Sequence, residues 1–400
     1  MPNYTYLIVG GGMTADAAAH GIREVDRSGS IGVIGAETHP PYNRPPLSKG
    51  LWKNMPLKSV WRKTEGVGVT SHAGRSAKHL DPRKKQVTDD QGTVYAFEKL
   101  LLATGATPRR LPFGTESIIY YRTLDDYQRL RALTEKGRRF AVIGGGFIGS
   151  EVAAALAMNG REVVMIFPDE GIGSRMFPPD LATFLNDFYR QKGIDVIAGA
   201  SVTGMEARQG QSILKIRTAQ SGSERDVVAD GVVAGIGVQP NVELAEAAGL
   251  EVQNGIRVNA SLRSSAPDIF AAGDVACFHN PLLDQWLRVE HEDNANTMGG
   301  MAGRAMAGET VSYDHLPSFY SDLFDLGYEA VGELDPRLET VADWKEPYRE
   351  GVIYYLRGAR VRGVLLWNVW EQVDAARRLL AEPGPFRAAD LKGRLPARAS

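Results

Sequence analysis

One cysteine, Cys277, stands in 400 residues. A lone thiol cannot close an internal disulfide, and no Cys-x-x-Cys pair or Cys/His cluster with metal-ligand spacing occurs. Thiol–disulfide exchange within the chain is excluded, and no metal site is expected. No apolar run approaches the ~20 residues that a membrane-spanning helix needs. No basic and apolar leader precedes the first expected strand at Tyr4. The expectation is therefore a cytoplasmic protein without a membrane span. A dominant charge is missing as well: 46 basic and 48 acidic residues leave a formal net charge of −2. That balance favours neither nucleic acid nor an anionic membrane surface, so no nucleic-acid partner is expected. Hydrophobic residues at 43% and charged residues at 24% suit a globular chain, and the length allows two or three domains.

Near the N-terminus, Leu7-Ile8-Val9 is a short apolar run without alternation, as in a strand buried on both faces of a parallel sheet. Glycines follow at once, and Ala15, Ala18, Ala19 and Ile22 then recur at helical spacing. The pattern Gly10-x-Gly12-x-x-Ala15 thus falls between a strand and a helix. There the first glycine permits a tight turn, and the second lets backbone approach a pyrophosphate. The small third residue seats the helix on the strand, and the helix N-terminus adds the positive end of its dipole. A merely Gly-rich turn lacks this strand–turn–helix setting. The next strand, Ile31 to Ile34, leads to Ala36 and Glu37. An acid at about this offset accepts hydrogen bonds from ribose hydroxyls. Glu37 is the candidate, with Ala36 in the neighbouring register and an ordinary exposed acid as the other reading.

The arrangement recurs. Phe140 to Ile143 is another buried-type strand, followed by Gly144-x-Gly146-x-x-Gly149 and an alanine-rich helix from Ile148 towards Asn159. The strand Val163 to Phe167 then leads to Asp169. Two such arrangements predict two dinucleotides, a held flavin and an exchangeable nicotinamide, with hydride passing between stacked rings. Asp169 favours a free ribose 2′-hydroxyl and hence NAD(H), while Arg175 nearby keeps NADP(H) as the alternative.

Lys99 to Arg109, Val232 to Asn241 and Ile269 to Asp274 each carry a buried-type strand into a glycine turn. Asp274 at such a strand end suits a ribityl hydroxyl. Residues 42–50, YNRPPLSKG, place Arg44 and Lys49 on a stretch that two prolines stiffen, expected on the solvent side without regular structure. Lys136, Arg138 and Arg139 read as a solvated turn. Trp367 and Trp370 fit either core packing or a cofactor face, and the tail from Pro383 reads as mildly basic and partly disordered.

GGGMTA, PYNRPPLSK, LLATGATPR, VIGGGFIGSE, GIGVQPN and FAAGDVA together resemble the two-dinucleotide flavoprotein reductases. Within them the chain resembles the ferredoxin, rubredoxin and putidaredoxin reductase branch. The disulfide reductases carry a Cys-x4-Cys pair after the first helix, which is missing here. VEHEDNANTMGGMAG (289–303), SFYSDLFDLGYEAVG (318–332) and GVIYYLRGARVRGVLLWNVW (351–370) further resemble the apoptosis-inducing factors and their bacterial relatives. Cys277, shared with them, reads as a small buried residue. A targeting segment and the long C-terminal insertion of the animal proteins are not found, so a bacterial-type redox role is expected.

The resemblance implies an α/β fold of glutathione-reductase type, with two Rossmann-like dinucleotide-binding domains and a C-terminal α+β domain. Residues 1–113 and 238–312 would bind FAD, 114–237 would bind NAD, and 313–400 would form the third domain. Carried over by motif, Gly10, Gly12, Ala15, Glu37, Arg44, Lys49, Ala77, Thr104, Gly105, Arg109, Asp274 and His291 would contact FAD. Gly144, Gly146, Phe147, Ile148, Gly149, Asp169, Arg175, Gly237 and Glu290 would contact NAD(H). Ala36, Tyr320 and Glu329 complete the implied set; Tyr320 replaces a tryptophan frequent in relatives. Lys49 and Glu151 would pair as the catalytic residues at the flavin, since an ammonium can stabilise the charge of reduced flavin.

The implied activity is hydride transfer from NADH to FAD and then electron transfer to an iron–sulfur acceptor such as a ferredoxin or rubredoxin. One alternative is a slow NADH sensor whose charge-transfer complex controls dimerisation or partner binding. Another is a reductase of quinones or oxygen. A monomer or a homodimer fits each of these.

Overall fold

The computed structural model describes residues 1–114 and 116–395, and in it the chain divides into two units. Residues 1–44, 56–107 and 239–318 form the first, and residues 45–55, 108–238 and those from 319 onwards form the second.

The first unit is built on a sheet of seven strands. From one edge these run Val69–Ala73, Ile31–Gly35, Asn3–Val9, Val94–Leu102, Gln86–Asp89 and Ala77–Asp81. Ile269–Ala271 pairs in parallel with the end of Val94–Leu102. Asn3–Val9 lies parallel to both of its neighbours, and Leu7 and Ile8 are fully buried, which explains the unbroken apolar run. Helix Met13–Val25 packs on helix Glu292–Met306 through small residues. A side chain's first carbon at Gly303 would fall 2.1 Å from the Ala18 carbonyl oxygen, so the crossing demands glycine there. Cys277 is buried in the strand Ala276–Asn280 of a small second sheet, and burial pushes its thiol up.

The second unit holds a parallel sheet ordered Ile194–Ile197, Glu162–Ile166, Arg139–Ile143, Gly231–Ala234, Ile118–Tyr120. Helix Phe147–Met158 contacts it and is buried continuously from Gly149 to Leu156. An antiparallel sheet follows, ordered Ser318–Leu323, Leu326–Gly332, Arg360–Trp367, Glu350–Arg357, Glu339–Glu346, with helix Val373–Ala381 against it. Trp367 is fully buried and stacks on Tyr328 at 5.7 Å and 6°, whereas Trp370 is exposed. Lys136, Arg138 and Arg139 are exposed.

The α/β fold class therefore holds, with a sheet-rich C-terminal part. Two local expectations do not. YNRPPLSKG contains short 3₁₀ turns, Pro45–Leu47 and the start of Gly50–Lys53, and the Lys49 side chain is only 12% exposed rather than solvated. The tail forms a turn of helix at Ala388–Leu391, and Leu391 and Leu395 are buried; the rest of the expected disorder, at 396–400, lies outside the described residues. No helix among the described residues is long and apolar enough to cross a membrane.

Candidate functional site

In the first unit the chain leaves strand Asn3–Val9 at Gly10, whose φ of 124° is open only to glycine at low cost. A first side-chain carbon there would fall 2.0 Å from the Ala103 carbonyl oxygen. Gly12 caps helix Met13–Val25 in extended conformation without a side-chain cap, and Ala15 is fully buried beneath the turn. A side-chain carbon at Gly12 would meet only Arg44 Nη2, at 3.9 Å. The turn therefore leaves room for a phosphate between uncapped helix N–H groups and a guanidinium, and these residues fit a dinucleotide pyrophosphate.

Arg44 is held rather than loose. Its Nη2 donates to Glu37 Oε1 at 2.5 Å and its Nη1 to the Tyr42 hydroxyl at 2.9 Å, while that hydroxyl donates to Glu37 Oε2 at 2.5 Å. Burial works against the Arg44 charge, but the Tyr42 oxygen and the Glu37 and Asp274 carboxylates outweigh it and hold the guanidinium above its ordinary value. Glu37, Arg44, Asp274 and Gly12 are thus gathered at one end of the sheet, with Ala36 exposed beside them. Thr104 Oγ1 donates to the Asn241 carbonyl at 2.8 Å, and Gly105 accepts from Asn241 N–H. His291 caps helix Glu292–Met306. Glu290, expected at the nicotinamide nucleotide, is an exposed partner of Arg288 in this first unit. Ala77 opens the edge strand Ala77–Asp81.

The second unit repeats the turn. Gly144 has φ 115°, and a side-chain carbon there would lie 2.3 Å from the Gly235 carbonyl oxygen. Gly146 caps helix Phe147–Met158 and faces open space within 4 Å, which again fits a phosphate. The copies differ at the third small residue: Gly149 approaches the Gly144 carbonyl so closely that even alanine would overlap it. Phe147 and Ile148 are exposed on the first turn, and the Phe147 ring meets Phe319 edge-on at 5.4 Å. Asp169 pairs with Arg175 at 3.4 Å, although the Arg175 side chain is 81% exposed. Arg109, expected at FAD, belongs to this unit and donates its backbone N–H to the Gly237 carbonyl.

The same unit assembles the Lys49–Glu151 pair. Lys49 Nζ lies 2.7 Å from Glu151 Oε1, and Glu151, on helix Phe147–Met158 just past its first turn, is 3% exposed. The carboxylate has two further donors, Ser48 Oγ at 2.5 Å on Oε2 and Ser321 Oγ at 2.6 Å on Oε1. Tyr320 stacks its ring near Lys49 Nζ, 5.1 Å from the centroid. Burial first, and then the Glu151 charge, push the Tyr328 and Tyr189 phenols above their ordinary range, so both stay protonated. Glu329 sits apart from this pair, accepting from the Glu371 N–H, and burial raises its carboxyl.

Sequence reasoning missed Tyr42, Ser48 and Ser321. Each is adjacent or next-but-one to a residue already singled out, but hydroxyls are too common to stand out without the fold. It also missed buried Asp16, bound by Arg62 Nε and the Thr64 hydroxyl at 2.5 Å each. Among the described residues, no group of three or more His, Cys, Asp or Glu side chains could hold a metal ion.

Comparison with known proteins bears on these turns directly. Residues 4–299 match the family described as pyridine nucleotide-disulphide oxidoreductase. Residues 302–347 and 342–382 match the C-terminal domain of the mitochondrion-associated apoptosis-inducing factor. The chain is 34% identical to the ferredoxin–NAD(+) reductase component of the anthranilate 1,2-dioxygenase system of Burkholderia cepacia, over 96% of this chain and 97% of that one. It is 31% identical to the mitochondrial apoptosis-inducing factor 1 of Dictyostelium discoideum, over 94% of this chain and 78% of the relative. A Drosophila melanogaster relative, 30% identical over 94% of this chain, is longer still: the chain spans 63% of its length. Among solved structures, the covalent putidaredoxin reductase–putidaredoxin complex contains a similar chain, with TM-score 0.88 and 29% identity over 97% of this chain and 95% of that one. With two dinucleotide turns of one build and a family match across them, the chain belongs to the pyridine nucleotide-disulphide oxidoreductase family, whose members use FAD and a nicotinamide dinucleotide.

Proposed function

We propose that this protein is an NADH-dependent FAD oxidoreductase that hands electrons to a ferredoxin-type iron–sulfur protein in the cytoplasm. The observation that carries the reading is the duplicated strand–glycine–helix turn in a chain with a single, buried cysteine. Two dinucleotides can exchange a hydride, and no cysteine pair exists to take it up. The name of the Burkholderia relative, a ferredoxin–NAD(+) reductase component, supports the choice of acceptor.

In this reading the first unit holds FAD and the parallel sheet of the second holds NADH. FAD, when bound, supplies a centre that accepts two electrons and releases them singly. The chain's own residues bind and orient. The uncapped turn after Gly12 and the Arg44 guanidinium take the FAD pyrophosphate, and the turn after Gly146 takes that of NADH. Asp169 accepts from ribose hydroxyls and favours NADH over NADPH. The Lys49 ammonium offsets negative charge gained at the flavin, and Glu151 compensates for burying that cation.

A second reading has its own support. The C-terminal match to the apoptosis-inducing factors favours a slow NADH sensor that engages a partner when reduced. The two part in steady-state NADH oxidation, with cytochrome c as the final acceptor and a bacterial ferredoxin added or omitted. The reductase reading expects a rate that rises with ferredoxin concentration and saturates. A rate that ferredoxins leave unchanged contradicts it and favours the sensor.

A further inference from the structure

We infer that Ser48 and Ser321 are positioning residues that hold the Lys49–Glu151 pair in place and thereby set how fast the flavin is reduced. The inference rests on the NADH-to-FAD reading above and adds residues to it. Glu151 offers about four acceptor sites on two oxygens in a place almost closed to water. Lys49 covers one of them. Ser321 shares Oε1 with Lys49, and Ser48 donates to the other oxygen, Oε2. Without the hydroxyls, buried lone pairs would lack donors, and the carboxylate would be free to rotate onto the lysine.

The three partners come from separate stretches of the second unit: the turn after the double proline, the helix Phe147–Met158 and the strand Ser318–Leu323. Ser321 is fully buried, so no water can stand in for its hydroxyl on Glu151. Its neighbours reinforce the arrangement. The Tyr320 ring faces Lys49 Nζ, and Asp322 pairs with Lys53 at 3.3 Å. The sequence Tyr320-Ser321-Asp322 therefore fixes Lys49, Glu151 and Lys53 in turn. The ionisable groups around the carboxylate are Lys49, Tyr121, Tyr189 and Tyr328, and Lys49 is the cation among them. A carboxylate supported by two hydroxyls leaves more of the ammonium's field for the flavin. One stripped of them draws that field onto itself.

The test uses Ser321→Ala and Ser48→Ala in the FAD-loaded protein, each alone and combined with Glu151→Gln. Three quantities are read: the limiting rate of anaerobic reduction by NADH, the apparent NADH affinity and the flavin midpoint potential. Each serine variant is expected to slow the limiting rate roughly tenfold, the loss of one charge-assisted hydrogen bond, with NADH affinity changed less than about twofold. The midpoint potential should move in the negative direction. In the Glu151→Gln background, Ser321→Ala should add nothing, because its effect runs through the carboxylate. Wild-type rate and potential in both variants would overturn the inference. So would an undiminished effect in the Glu151→Gln background, or loss of FAD from both variants. Wild-type flavin that NADH cannot reduce would instead fail the underlying reading, whereas normal reduction with indifferent serine variants fails this inference alone.

Discussion

The two glycine turns share one backbone design but differ in how they are furnished. Beside Gly12, Arg44 is locked by Tyr42 and Glu37, and every hydrogen bond in that triangle is 2.9 Å or shorter. At Gly146 an added side-chain carbon would meet open space, the strand-end acid has a solvated arginine for a partner, and Phe147 stands 38% exposed on the first helical turn. Pre-organised charge binds tightly because little ordering remains to be done at binding, whereas mobile groups bind weakly and release. In the reading proposed above, the first turn, so furnished, takes the resident cofactor and the second takes the one that exchanges at each turnover. The same motif, read alone, would not distinguish them.

The largest effects should come from the turns themselves. Gly10→Ala forces a side-chain carbon onto the Ala103 carbonyl in a backbone conformation suited to glycine, and should cost about 3 kcal/mol or more, with loss of bound FAD. Gly146→Ala, which meets open space, should keep both fold and FAD and weaken NADH binding alone. Thermal unfolding and flavin content check both, and FAD loss from Gly146→Ala would break the comparison. Next comes Lys49→Ala, which leaves Glu151 buried without its cation, a loss of roughly 3–5 kcal/mol by analogy with other buried pairs. Its flavin should stay bound but be reduced much more slowly in stopped flow; an unchanged rate removes Lys49 from the chemistry.

Smaller effects sharpen the contrast. Arg44→Ala should weaken FAD retention on the order of tenfold or more by equilibrium dialysis, while Arg175→Ala should leave it untouched. Asp169→Ala should cut the preference for NADH over NADPH roughly tenfold in kcat/KM. The smallest effect concerns acid stability of the first unit. Burial tends to raise the Asp89 carboxyl, but donation from Tyr95, Thr93, Arg75 and Gln91 outweighs it and holds the group down at about 2, against an ordinary 3.8. Its folded value is depressed, so its contribution is present above about pH 4 and lost as pH falls towards 2. Asp89→Asn should unfold at lower temperature at pH 7 and lose part of the wild-type acid dependence between pH 4 and 2.

Both nucleotide turns were legible because their chemistry is local. A strand, three small residues and a helix lie within little more than about 20 residues, and backbone geometry dictates where glycine must fall. The expectation for Glu37 and Asp169 rests on the same local spacing. Lys49 and Glu151 were legible only through family resemblance, since nothing near either residue in the chain announces the other. What stayed hidden was everything that three-dimensional satisfaction decides. Tyr42 closes the Arg44 triangle, Ser48 and Ser321 complete the carboxylate's hydrogen bonds, and Asp16 binds Arg62 and Thr64. The solvated loop expected around Lys49 failed similarly. Two cations in a proline-rich stretch look exposed until Glu151 is seen to receive one of them and Glu37 the other.

The central claim is that one nucleotide stays and the other comes, reduces it and leaves. The most direct test is to desalt the purified protein exhaustively and then mix it anaerobically with NADH in a stopped-flow spectrometer. The account predicts a yellow protein that retains about one FAD per chain after desalting and whose visible flavin band bleaches fully within the turnover time, with NAD⁺ separating on a second desalting. A protein that emerges without flavin, or whose bound flavin NADH leaves oxidised, would contradict it.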